Sequence, residues 1–95
     1  MTILQIEHRV RDFEAWKRAF DSDPVGREAG GVRRYRVLRP ADDPNYVIVD
    51  LEFDSPGEAE AFRAKLRELW GRVGDDLGLE GPQARIVEAV ESEEL

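Results

Sequence analysis

The stretch that decides the fold runs from His8 to Leu38 and reads HRVRDFEAWKRAFDSDPVGREAGGVRRYRVL. It contains the single histidine of the chain and one of its two tryptophans. Asp12 occupies an N-cap position, from which its carboxylate can accept hydrogen bonds from the free amides of a first helical turn. The helix is predicted to end near Asp21, because Pro24 cannot continue the hydrogen-bond ladder. The apolar stripe of this helix comprises Phe13, Trp16, Ala19 and Phe20.

The residues on either side of this helix predict a strand before it and a turn after it. Residues 2–10 alternate between two faces, as a strand does. One face carries Leu4, Ile6, His8 and Val10. Residues 24–29 can form one further helical turn, and Gly30-Gly31 then lets the chain reverse.

The next two segments predict a hairpin. Residues 32–39 form the second strand, with Tyr35 and Val37 on the face opposite to Arg34 and Arg36. The turn-forming sequence PADDPN follows, and residues 46–53 then form the third strand. The third strand directs one apolar row toward the helices, namely Val47, Val49, Leu51 and Phe53. The opposite row consists of Tyr46, Ile48, Asp50 and Glu52.

A second helix begins with a strong start signal. Ser55 is its N-cap, Pro56 is the first helical position, and Glu58 closes a capping box. Its buried stripe is predicted to comprise Ala59, Phe62, Leu66, Leu69, Trp70 and Val73. Glu80-Gly81-Pro82 is then expected to be a connection, and residues 84–90 the last strand.

The resulting order, β-α-β-β-α-β, predicts the ferredoxin-like arrangement of the α+β class. A four-stranded antiparallel sheet carries both helices on one face, because crossovers between strands are right-handed. Residues 1–95 are expected to form one domain, with residues 91–95 as a frayed tail. The other sheet face is part apolar and part charged, which suits a lined cavity or a partner sheet better than bulk water.

Composition excludes several classes of function. The net charge of −7 at pH 7 disfavours nonspecific binding to nucleic acids and to anionic membranes. The chain has no cysteine and one histidine, so we expect no disulfide, no thiolate chemistry and no zinc site. No apolar run approaches the roughly 20 residues that span a bilayer, and we expect the first residues to be part of a strand rather than a signal peptide. The simplest interpretation is a cytoplasmic protein.

A resemblance to a known group extends over residues from about 3 to 90. It lies in the pattern His8-x-Val10-x-Asp12-Phe13-x-x-Trp16-Lys17-x-x-Phe20-Asp21, followed by Arg27, Gly31-Val32, Tyr35-Arg36-Val37, Asp42-Asp43-Pro44-Asn45, Asp50 and Phe53. This pattern resembles the dimeric α+β barrel proteins. Among them it is most similar to a bacterial group labelled cyclase-like or antibiotic-biosynthesis-monooxygenase-like.

The resemblance implies a homodimer in which two sheets pack face to face into a barrel. It also implies a pocket between the sheet and the helices, or inside the barrel. In characterised relatives such pockets hold aromatic polyketides, haem or small metabolites. The monooxygenases among these relatives need no metal or flavin, so the resemblance implies no cofactor.

His8 is the first candidate for a catalytic residue. Histidine is the side chain that titrates near neutrality, and this one lies at the end of a predicted central strand. It would suit a general base that removes a proton from a phenol or an activated carbon acid. The alternative is a buried histidine that hydrogen-bonds a backbone group or a carboxylate and has no part in a reaction.

The second candidate site is a set of charged side chains on neighbouring strands. Arg34 or Arg36 could hold a carboxylate or phenolate of a ligand. The alternative is a network of cross-strand ion pairs at the dimer seam, with Glu7, Asp50 and Glu52 as the acids. These acids could also bind a hard cation or act as an acid/base pair, but the adjacent arginines already balance their charge.

Aromatic side chains are the third candidate for ligand binding. Trp16 and Tyr46 could stack on an aromatic ligand. The alternative for Trp16 is a place in the hydrophobic core, which its helical spacing also predicts. Residues 42–45 lack the ligand spacing of a calcium loop and are interpreted as a turn.

Two functions of different classes fit these observations. In the first, a homodimeric barrel binds a small aromatic or carbonyl-containing ligand and carries out cofactor-free acid/base chemistry, cyclase-like or monooxygenase-like, with His8. In the second, the chain is a noncatalytic binding or dimerisation domain. A pocket that contains His8 and one free arginine would support the first. A filled barrel in which every charge is paired would support the second.

Overall fold

Six elements follow one another in the predicted order in the computed structural model, which describes all 95 residues. They are β1 (Thr2–Arg9), α1 (Phe13–Asp21), β2 (Arg34–Leu38), β3 (Tyr46–Phe53), α2 (Pro56–Leu77) and β4 (Glu80–Glu88). The strands form one antiparallel sheet in the order β2-β3-β1-β4. The ferredoxin-like βαββαβ prediction is therefore confirmed. Neither helix has the length and apolar character that crossing a membrane requires.

Three local predictions are wrong. Residues 24–29 form turns rather than a further helical turn, and β2 begins two residues later than predicted. Glu80-Gly81-Pro82 is the start of β4 rather than a connection. The reason is a β-bulge, in which Gly81 and Pro82 together face the single residue His8 of β1. Gly81 adopts a left-handed conformation (φ +57°), and Pro82 has no amide to donate to the ladder.

Both predicted N-caps form, but the capping box does not close, because Glu58 accepts from the Ser55 hydroxyl rather than from the Ser55 backbone amide. The Asp12 carboxylate accepts from the amides of Glu14 at 3.0 Å and Ala15 at 3.4 Å. The Ser55 hydroxyl accepts from the amide of Glu58 at 3.3 Å and lies 3.2 Å from its carboxylate, to which it donates. These bonds satisfy amides that a helix end leaves without an internal partner.

The core lies between one face of the sheet and the two helices. Cross-strand pairs place Leu4 opposite Leu51 and Ile6 opposite Val49 on this face, as the alternation of both strands predicted. The core residues that are buried are Leu4, Ile6, Val10, Trp16, Val47, Val49, Leu51, Phe53, Ala59 and Phe62. Burial of this continuous apolar face supplies the main favourable free energy of folding.

No other element of the chain covers the opposite face of the sheet, which we call the open face. It carries the outward rows of all four strands. Its apolar members are Ile3, Leu38, Ile48 and Val87. Its charged members toward the middle of the sheet are Glu7, Arg34, Arg36, Asp50, Glu52 and Arg85. The chain thus exposes a mixed surface where many proteins pack a second layer.

Candidate functional site

A cleft of about 400 Å³ opens between the helices and the sheet. This volume lies within the range of small-molecule pockets. Fourteen of its 20 lining residues are hydrophobic. They are Ile6, Trp16, Ala19, Phe20, Val25, Val49, Leu51, Phe62, Leu66, Leu69, Trp70, Val73, Leu77 and Leu79. The remaining lining residues are His8, Ser22, Asp23, Pro24, Arg27 and Asp76. Such a lining favours a largely apolar ligand that a few polar groups orient.

His8 reaches the cleft from the central strand β1, on the face that packs against the helices. It lies opposite Val47 of β3 on one side and opposite the bulge of β4 on the other. The side chain is only 3% exposed. Bulges often re-aim side chains next to functional sites, and this one interrupts the β1–β4 ladder at the histidine.

The hydrogen bond of His8 fixes which ring nitrogen carries the proton. Nδ1 lies 3.3 Å from the carbonyl oxygen of Arg9, and a carbonyl only accepts, so Nδ1 is the donor. Nε2 of the neutral ring is then an acceptor, and no protein group bonds to it. No side-chain nitrogen or oxygen that is shut off from solvent lacks a partner. Nε2 is therefore not fully enclosed, and the cleft is the cavity that His8 lines.

Two tryptophans contact the imidazole, and its burial affects its pKa. The ring centroid of Trp16 lies 5.8 Å from that of His8, and the centroid of Trp70 lies 6.3 Å away. Both contacts are close to perpendicular, with interplanar angles of 66° and 82°. Burial in these apolar surroundings lowers the pKa of His8 below its usual value, although the Arg9 carbonyl opposes the shift. The ring is consequently neutral at pH 7.

Arg27 lines the cleft, although the sequence indicates it only as part of the family pattern and not as a candidate site residue. Its Nη1 donates to the carbonyl of Phe20 at 2.7 Å, and its Nε lies 3.6 Å from the Asp23 carboxylate. The guanidinium also stacks on two rings, with Cζ 4.0 Å from the centroid of Phe20 and 4.8 Å from that of Tyr35. Arg27 lies in a turn segment without periodicity, so only its spacing of four residues from Asp23 hinted at this arrangement.

The predicted charged residues lie on the open face instead. Arg36 is 3.0 Å from Asp50, and Arg34 is 3.9 Å from Glu52. The predicted cross-strand ion pairs are thus confirmed. Gln5 also donates to Asp50, at 3.2 Å.

Tyr46 also lies on the open face. Its hydroxyl donates to Glu7 at 2.9 Å, and this hydrogen bond to a carboxylate raises the pKa of the tyrosine. Arg85 approaches the other Glu7 oxygen at 3.3 Å. Glu7 is thereby shared between two partners on neighbouring strands, which accounts for its position without a ligand.

The structure thereby separates the predicted site residues into two groups. His8 and Trp16 belong to the cleft. Arg34, Arg36, Tyr46 and Asp50 lie on the other side of the sheet. Within one chain, the two groups cannot contact the same small ligand. The arginine that accompanies His8 in the cleft is Arg27.

The fold has clear counterparts among solved structures, although no family model and no curated protein matches the sequence. A protein provisionally named an antibiotic biosynthesis monooxygenase, from Nitrosomonas europaea, superimposes with a TM-score of 0.72 at 21% identity. The alignment covers 96% of this chain and 100% of that one. SnoaB from Streptomyces nogalater, a cofactor-independent oxygenase, has a TM-score of 0.76 at 12% identity, with 96% and 94% of the two chains covered.

A third structural neighbour is described as a dimeric ferredoxin-like protein, from an uncultured marine organism. Its TM-score is 0.69 at 15% identity, and the alignment covers 97% of this chain and 96% of that one. Similarities at these identities establish the shared fold. The structural neighbours of this chain are therefore antibiotic-biosynthesis-monooxygenase-like and dimeric ferredoxin-like proteins, as the sequence pattern led us to expect.

Proposed function

We propose that the protein binds a small aromatic or carbonyl-containing molecule in the cleft and that His8 acts on it as a cofactor-independent general base. One observation carries this proposal: a neutral histidine, whose Nε2 has no partner in the protein, lines an apolar cleft of about 400 Å³. A lining of 14 hydrophobic residues favours an apolar ligand body. The description of SnoaB as a cofactor-independent oxygenase on the same fold supports the class of chemistry.

The proposed chemistry begins with a proton transfer to Nε2. A phenol or an activated CH₂ group next to His8 would give up its proton, and the ring would become an imidazolium. The Arg9 carbonyl, 3.3 Å from Nδ1, would stabilise that cation. In a monooxygenase-like outcome, the deprotonated CH₂ carbon reduces O₂. The CH₂ group becomes a C=O group with one oxygen atom, and the second oxygen leaves as water with the two hydrogens.

We also propose that the open face joins two copies of the chain into a homodimer. Its central charges balance, because three arginines (Arg34, Arg36 and Arg85) accompany three acids (Asp50, Glu52 and Glu7). The whole chain carries −7, so a face whose charges balance can join two copies without the repulsion that an acidic face would add. The neighbour described as a dimeric ferredoxin-like protein supports the same arrangement.

A noncatalytic binding or dimerisation domain is the second candidate. The observation that favours it is that the protein itself supplies contacts to the predicted polar residues. The Arg9 carbonyl and the two tryptophans account for His8, and the ion pairs account for Arg34 and Arg36. His8 Nδ1 and the two paired arginines have partners in the protein, so no ligand is needed to explain their position.

Oxidation of anthrone, an aromatic ketone with an activated CH₂ group, separates these functions. Binding is measured by quenching of tryptophan fluorescence, and turnover by O₂ uptake in buffer treated with a chelator. We expect the wild-type protein to accelerate O₂ uptake and His8→Gln to lose about 100-fold or more of that acceleration while it still binds. Binding without acceleration in the wild-type protein would favour the noncatalytic domain. Absence of binding would remove anthrone-like ligands from the proposal.

A further inference from the structure

Arg27 lies in a turn, yet its backbone and side chain make several contacts within the protein. Its backbone amide donates to the Asp23 carboxylate at 2.9 Å, and its Nη1 donates to the Phe20 carbonyl at 2.7 Å. The rings of Phe20 and Tyr35 flank the guanidinium. Only 16% of the side chain is exposed. These contacts fix the position of the guanidinium at the wall of the cleft.

The contacts leave one nitrogen of Arg27 without a partner. A guanidinium has five N–H donors, and here Nη1 bonds to a carbonyl while Nε faces Asp23. Nη2 donates to no group of the protein. Because no enclosed polar side-chain atom lacks a partner, Nη2 is accessible. An acceptor on a ligand could therefore take its hydrogen bonds without breaking any bond that the protein makes.

The positions of His8 and Arg27 define two polar ends of one apolar cleft. His8 contacts Trp16, whereas Arg27 stacks on Phe20. Trp16 and Phe20 are four residues apart on α1, which corresponds to a rise of about 6 Å along the helix. Their rings stack with centroids 5.1 Å apart. A flat ligand that lies along these two rings would present one end to His8 and the other to Arg27.

The charges nearby indicate which acceptor Arg27 would select. Asp23 and Asp76 also line the cleft, so its lining carries one arginine and two acids. A ligand carboxylate would meet repulsion from both, and from the net charge of −7 of the chain. A neutral ketone oxygen accepts the same hydrogen bonds without this cost.

We infer that Arg27 selects ligands that present a neutral carbonyl oxygen at the end of the cleft away from His8. The inference rests on the proposed function, because it assumes that a ligand occupies the cleft. Arg27 is then a specificity-determining residue. His8 accepts a hydrogen bond from the ligand or takes its acidic proton. The ligand would donate a hydrogen bond to the neutral His8 Nε2 at one end. At the other end it would accept from the free N–H groups of Arg27.

Two ligands that differ only in the ketone test this inference. They are 6-hydroxy-1-tetralone and 5,6,7,8-tetrahydro-2-naphthol, and their dissociation constants are measured with wild-type protein and with Arg27→Met. We expect the wild-type protein to bind the ketone about tenfold more tightly or better, because a hydrogen bond to a charged group is gained. In Arg27→Met this preference should fall to about twofold or less. Arg33→Met is the matched control, since Arg33 pairs with Asp54 outside the cleft and its loss should leave the preference unchanged.

The outcomes separate this inference from the proposed function. Equal affinities for the two ligands in the wild-type protein would overturn the role of Arg27 and leave the ligand cleft standing. Failure of the wild-type protein to bind either ligand would overturn both. Tighter binding of the corresponding 1-carboxylic acid than of the ketone would contradict the choice of a neutral acceptor. If Arg27→Met does not fold, the comparison is made with Arg27→Lys, which keeps the charge but not the fixed fork, and in which the preference should also decline.

Discussion

The imidazole of His8 meets the indole of Trp16 nearly edge to face, with centroids 5.8 Å apart and ring planes at 66°. The ring centroid of Trp70, on α2, lies 6.3 Å from that of the same imidazole. The histidine of the central strand is thus held between one tryptophan from each helix. Its orientation toward the cleft depends on how both helices pack on the sheet, and so the site and the core share the same residues.

Trp16 should therefore contribute strongly to stability. It is 6% exposed and contacts the rings of His8, Phe13 and Phe20. We expect Trp16→Ala to lower the free energy of unfolding by about 3–5 kcal/mol, because it empties a large buried volume. Urea unfolding measures this change. Glu14→Ala on the exposed side of α1 is the control and should change stability by no more than about 0.5 kcal/mol.

Stability should also fall when His8 is forced to take a proton. Its pKa in the folded chain is below the usual 6.5, so the unfolded chain binds more protons between those two values. The stability contributed by neutral His8 is complete above pH 6.5 and is lost as the pH falls toward the lowered pKa. The decline should be visible in urea unfolding measured at a series of pH values below 7.

The variant His8→Gln provides the control for this pH dependence. It cannot titrate, so its free energy of unfolding should stay level through the window just below pH 6.5. Asp43, whose pKa the Arg9 guanidinium lowers from 3.8, loses its contribution only at more acidic pH and does not interfere. An equal decline in wild type and variant near pH 6 would contradict the assignment of a lowered pKa to His8.

Replacement by alanine should have opposite effects on stability at two glycines, one in the bulge opposite His8 and one in α2. Gly81 adopts φ +57°, where a side chain is strained although nothing within 4 Å would meet a Cβ. Gly81→Ala should therefore destabilise the protein by about 1 kcal/mol. Gly71 also has open space around it but lies within α2, so Gly71→Ala should stabilise by about 0.5–1 kcal/mol. Thermal unfolding of the two variants compares them directly, and stabilisation by Gly81→Ala would argue against the left-handed conformation in the bulge.

The open face predicts the assembly state. Light scattering should give twice the 10.9 kDa mass of the chain for the wild-type protein. Ile48→Arg places a new charge at the middle of the open face and should yield monomers, because a buried unpaired charge is costly in an interface. Val90→Arg, at an exposed position after β4, should remain dimeric. A monomeric wild-type protein would exclude the barrel arrangement.

The sequence was sufficient for the fold because several independent signals agreed. Capping residues at Asp12 and Ser55 and the alternation of Val47 to Phe53 fixed the order of the elements. The start of β4 could not be predicted, because Gly81 and Pro82 are read locally as a turn. Only the pairing partner β1 shows that they form a bulge within a strand.

The site was harder to predict because it depends on faces and on turns. The row that contains His8 and the row that contains Arg36 were each recognised, but their sides of the sheet follow only from the register, in which Val47 faces His8 and Asp50 faces Arg36. Arg27 belongs to a turn with no period, and no pattern indicates where such a side chain points. Two of its partners, Phe20 and Asp23, are also close to it in sequence. The third, Tyr35, belongs to β2 and is close to it in space.

The most direct test of a ligand cleft at His8 is nitrogen NMR of the imidazole, which is unambiguous because the chain has a single histidine. At pH 7 we expect a neutral ring with its proton on Nδ1, as the hydrogen bond to the Arg9 carbonyl requires. Addition of 6-hydroxy-1-tetralone should shift the Nε2 resonance in a saturable manner. An imidazolium, a proton on Nε2, or an Nε2 resonance that does not respond to saturating ligand would contradict the account.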